Sequence, residues 1–123
     1  MDEAVILEIP ARLEDLTVVR LALSGACSAV KGIDVEQLED AKVAVTEACM
    51  MLMQGKGCGR LQVGIWREDR LRFEVNALGE GEVLHTQEAY DPHFSTLLLD
   101  TLTQKLCVQE KQITFYLTQD EEL

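Results

Sequence analysis

"DVEQLEDAKVAVTEACMMLMQG", residues 34–55, is the stretch on which the fold turns. Asp34 followed three residues later by Gln37 is a capping-box signature for a helix start. Behind it Leu38, Ala41, Val45, Ala48 and Leu52 recur at steps of three and four, the apolar stripe of a helix with one buried face. Gly55 and Gly57 end it. Near that end a carboxylate, Glu47, precedes Ala48 and the pair Met50–Met51, an odd sequence for an exposed helix terminus.

Working outward, "AVILEI" (residues 4–9) reads as a short strand stopped by Pro10. Leu13, Leu16, Val19, Leu23, Ala26 and Val30 then predict a helix from Ala11 to about Val30, with Gly32 at its exit. Downstream, Leu61, Val63 and Ile65 alternate with polar neighbours, as do Leu71, Phe73 and Val75, and "REDR" (residues 67–70) supplies the tight connection. Residues 77–91 have no clear period and read as a loop. Asp91 and Pro92 mark the cap and first position of a third helix, whose apolar residues include Phe94, Leu97, Leu98 and Leu102. "LCVQ" and "QITFYLT" close the chain as a hairpin, followed by an acidic end. Hairpin-linked strands with interspersed helices predict an α+β fold: a two-layer sandwich, a mostly antiparallel sheet with three helices on one face.

The 123 residues are one domain by length, 1–123, and are enough to bury a core without staples. Twenty-two acidic against 11 basic residues give a net charge of −11, which disfavours nucleic acid and favours a partner with a basic face. Asp2 and Glu3 stand where a basic leader segment would be, and no apolar run approaches the roughly 18 residues of a membrane span. Cys27, Cys49, Cys58 and Cys107 have no C-x-x-C spacing and read as reduced thiols, with Cys58 between two glycines as an exposed one. Together these predict a cytoplasmic address and no membrane partner.

With "PARLEDLTVVRLAL" early and "AKVAVTEACMML" on the second helix, the chain resembles the anti-sigma-factor serine kinases. These belong to the histidine-kinase-like (GHKL) ATPases with the Bergerat nucleotide-binding fold. In that family the second helix reads Glu-Ala-x-x-Asn, the Glu acting as general base or orienting water or the acceptor serine, and the Asn binding magnesium. Here Glu47 and Ala48 match, but Met51 takes the Asn place. A thioether is a poor ligand for hard magnesium. The family's Asp-x-Gly-x-Gly motif, whose Asp holds the adenine amino group, corresponds to "ALGEG" at residues 77–81. Gly79 and Gly81 remain and Ala77 replaces the Asp, a loss worth about 10- to 100-fold in affinity. The family's later Gly-x-Gly falls near His93 and Ser95, and no glycine follows Gly81. From Phe73 through Gln104 there is no Lys or Arg, while Glu74, Glu80, Glu82, Glu88, Asp91 and Asp100 lie in that span, an acidic wall against a triphosphate.

The resemblance therefore implies a degenerate member that has lost catalysis. Glu47, Met51, Ala77, Gly79 and Gly81 would be a vestigial pocket, with no cofactor expected and ATP with magnesium as the alternative. Arg20 has no carboxylate at helical spacing, and the family's arginine at the matching place contacts a protein partner. A sigma factor or an anti-anti-sigma antagonist is the implied partner, and a homodimer the implied assembly. His85, Glu88 and His93 match no metal-binding pattern. An active serine kinase, or a non-enzymatic scaffold or small-ligand sensor, are the competing expectations.

Overall fold

The computed structural model describes residues 3–28, 30, 32–54, 58–67, 70–79 and 91–117. Strand β1 (Glu3–Pro10) leads through a 3-10 turn (Leu13–Asp15) into helix α1 (Leu16–Ser28), and α2 (Val35–Met53) follows. Strands β2 (Arg60–Arg67) and β3 (Leu71–Leu78), helix α3 (Pro92–Leu102), and strands β4 (Thr103–Val108) and β5 (Gln112–Leu117) complete the order. The five strands form one antiparallel sheet, β1-β2-β3-β5-β4, so the expected α+β sandwich with three helices is the architecture of the chain.

The capping box at α2 forms as the spacing implies: the Asp34 side chain accepts from Gln37 N at 2.7 Å, and Asp34 N donates to Gln37 Oε1 at 3.1 Å. Small residues make the helix central. Ala41, Ala44 and Ala48 are fully buried, letting α2 sit close to the sheet, where Phe73, Val75, Ile113 and Phe115 lie beneath the helix layer. The Phe73 and Phe115 rings stack with centroids 5.3 Å apart. On the sheet's other face, Gly64 leaves the room that the Trp66 ring fills, and the Arg72 guanidinium lies 4.3 Å from that ring's centroid.

Four expectations are corrected. The first helix starts at Leu16 rather than Ala11, because the 3-10 turn intervenes and leaves Leu13 at the surface. Strand β3 runs on to Leu78, so Ala77 is a strand residue paired with Leu61 rather than part of a loop. Cys58 is buried, its thiol 3.6 Å from the Arg60 carbonyl, and Cys107 is the exposed thiol. On helix α3, too, the residues that turn inward are not the apolar ones named from the sequence. It buries Ser95 and Leu99, while Phe94 and Leu97 are 57% and 62% exposed. Gly55, Gly57, Gly81, His85 and Glu88 lie outside the described residues.

Two outcomes follow from this packing. Leu99→Ala is expected to cost about 2–5 kcal/mol in chemical denaturation, and Leu97→Ala less than about 0.5 kcal/mol. Burial, with the neighbouring Cys58 adding to it, pushes the Cys49 thiol up to about 12 from 9.0. The unfolded chain releases that proton near the ordinary value, so this contribution is intact below about pH 9 and declines as pH rises toward 12. Denaturation series at rising pH should show that alkaline decline flattened by Cys49→Ala.

Candidate functional site

The candidate residues gather around α2. Glu47 and Met51 are one turn apart on that helix, and both side chains are half-buried, Met51 against the core. Helix α2 packs on β3, which ends at Ala77 and Leu78 before Gly79, whose φ of +72° is a left-handed conformation suited to glycine. Ala77 faces the helix layer and its N–H donates to the Lys111 carbonyl at 2.8 Å.

The first turn of α3 comes to the same place from the other side. Ser95 is 2% exposed, and its hydroxyl donates to Glu47 Oε2 at 2.6 Å. Burial of a carboxylate edge requires such a donor, and a hydroxyl-to-carboxylate bond is among the stronger protein hydrogen bonds. Glu47 is thus neither a free surface carboxylate nor a helix cap. The α3 N-terminus is satisfied from within the chain as well. Pro92 has no N–H, His93 N donates to Asp91 Oδ1 at 2.9 Å, and Ser95 N donates to the Asp91 carbonyl at 3.1 Å. The amides that make helix N-termini attractive to phosphate are therefore mostly committed.

On the outward side of Glu47 lies a groove of about 210 Å³ between α1 and α2, lined by Arg20, Glu39, Lys42, Val43, Thr46 and Glu47. Lys42 Nζ pairs with Glu39 Oε1 at 3.1 Å. Arg20 has only the Thr17 hydroxyl at 3.4 Å and no carboxylate among the described residues. Thr46 Oγ1 is buried with no partner among the described residues. Val43, which lines the groove, is 41% exposed. Sequence reasoning singled out Arg20 and Glu47 separately; it did not find Thr46, nor the groove that joins the two. Among the described residues no cluster of His, Cys, Asp or Glu could hold a metal ion, and no helix is long and apolar enough to cross a membrane.

Comparison with known proteins points the same way as the second-helix motif. The chain is 32% identical over 105 residues to the serine-protein kinase RsbW of Bacillus velezensis, covering 80% of this chain and 64% of that protein. It is 33% identical over 106 residues to the RsbW of Bacillus pumilus (80% and 65%) and 31% identical over 107 residues to that of Bacillus subtilis (80% and 64%). This is moderate-identity homology to the RsbW serine-protein kinases. The chain spans just under two-thirds of the length of these curated relatives. No family model matches it.

The Glu47–Ser95 bond carries a thermodynamic expectation. Glu47→Gln keeps an acceptor for the Ser95 hydroxyl and should lose about 1 kcal/mol or less of stability. Glu47→Leu strands a buried hydroxyl and should lose about 1–3 kcal/mol, both read by urea denaturation.

Proposed function

We propose that this chain is an anti-sigma regulatory protein that works by binding a protein partner, with the kinase-like site of its relatives no longer serving nucleotide. The observation that carries this reading is the α1–α2 groove, where exposed Val43 shares the lining with an Arg20 guanidinium that has no carboxylate, and a Thr46 hydroxyl that has no partner, among the described residues. Unspent donors beside an apolar rim are what a specific protein interface uses at its centre. Exposed Glu36 and Glu39 and half-buried Asp40, all on α2, add an acidic surround, so a partner with a basic face that presents one carboxylate to Arg20 fits best.

The residues that would hold magnesium-ATP do not fit it. Met51 offers a thioether where a hard oxygen is needed, Ala77 offers no acceptor to adenine, and the Asp91 carboxylate occupies the first turn of α3. A sigma factor or its antagonist is the proposed partner class, and a homodimer the proposed assembly. The retained Glu47 and the name borne by the relatives favour one second reading, an active serine kinase.

Affinity capture from native cells without added nucleotide separates the two. Wild-type protein is expected to retain a partner that Arg20→Glu loses by at least about tenfold. Retention that depends on ATP, or transfer of label from ATP to a serine of the captured protein, contradicts the proposal.

A further inference from the structure

Glu47 both lines the groove and bonds to the first turn of α3. One of its oxygens accepts from Ser95; the other has no hydrogen bond among the described residues. Arg20 lines the same groove without a carboxylate partner among the described residues, and Lys42 is already paired with Glu39. Two opposite charges line one small groove and yet do not pair, although a guanidinium and a carboxylate frequently form a bidentate contact, and the geometry of Glu47 offers a reason.

Ser95 supplies it. A serine hydroxyl has a single proton, and here it is committed to Glu47 Oε2. Ser95 itself is fixed by burial and by its N–H bond to Asp91, so the carboxylate is tethered to α3 rather than to a mobile group. We propose that Ser95 is a positioning residue of the docking groove, holding Glu47 back from Arg20 so that the guanidinium stays open to a carboxylate of a protein partner. The proposal rests on the reading of the groove as a docking surface. Its chemistry is local: of the two cations lining the groove, Arg20 is the one without a carboxylate among the described residues, and without the hydroxyl Glu47 swings to it. A serine that only filled space between α2 and α3 would have no such reach.

Side-chain NMR of protein labelled with 15N-arginine reads the outcome at Arg20 directly. In the wild type, rotation of the Arg20 guanidinium is expected to be fast. In Ser95→Ala the same rotation should slow several-fold and the Nε resonance should shift, and adding Glu47→Gln should restore the wild-type signal. Thr96→Ala, which removes an exposed hydroxyl bonded to the Pro92 carbonyl on the same turn, should leave Arg20 unchanged. Ser95→Cys, close in size and a weak donor, is expected to move the signal in the same direction as alanine, so the test survives if alanine packs poorly. An Arg20 signal indifferent to both Ser95 variants overturns the proposal, as does a shift that persists when Glu47 is also replaced. Loss of the docking reading would appear separately, as a captured partner indifferent to Arg20→Glu, and would leave the NMR result standing.

Discussion

Helix α2 has to touch everything at once, and this constraint shapes the rest of the molecule. It contacts α1 on one side, α3 on the other, and β3 and β5 beneath. Such crowding is possible only because its inward face is built from Ala41, Ala44, Val45, Ala48 and Cys49, all fully buried. Larger residues there would push the flanking helices off the sheet and open voids that cost stability. The same crowding fixes where polar groups on α2 can go. Glu47 lies between the buried flank against α3 and the outer groove against α1, and its carboxylate takes a partner on the buried side.

The arrangement at α3 is consistent with a site turned toward internal contacts. A helix start aimed at a ligand leaves its first amides unspent. Here a proline and an aspartate cap use up that capacity, and the next polar side chain, Ser95, bonds across to α2. By contrast the groove between α1 and α2 holds Arg20 without a carboxylate and Thr46 Oγ1 without a partner among the described residues. Relatives that carry the name of serine-protein kinases are 31–33% identical to the chain over 80% of its length.

Much of the framework was legible because it rests on local rules. Asp34 with Gln37, Asp91 with Pro92, and the alternation of Ile113, Phe115 and Leu117 each fix an element through nearest neighbours in the chain. The face of α3 was not, since Leu97, Leu98 and Leu99 are consecutive and no period chooses among them. The choice falls to Ser95, a polar residue that becomes buried only because Glu47, far away in sequence, is there to accept from it. Arg20 and Glu47 could each be noticed from the sequence, but their sharing of one groove with Thr46 is a product of helix packing. Cys58 was misread for a related reason: flanking glycines suggest exposure, while the start of β2 draws the thiol under the helix layer.

Our central proposal is that the fold has kept its shape and given up its nucleotide. Calorimetric titration of magnesium-ATP into the wild-type protein tests it most directly. The account predicts no saturable heat at nucleotide concentrations up to about 1 mM, the range of binding worth only about 4 kcal/mol. A dissociation constant tighter than about 100 μM, with heats that require magnesium, would contradict it.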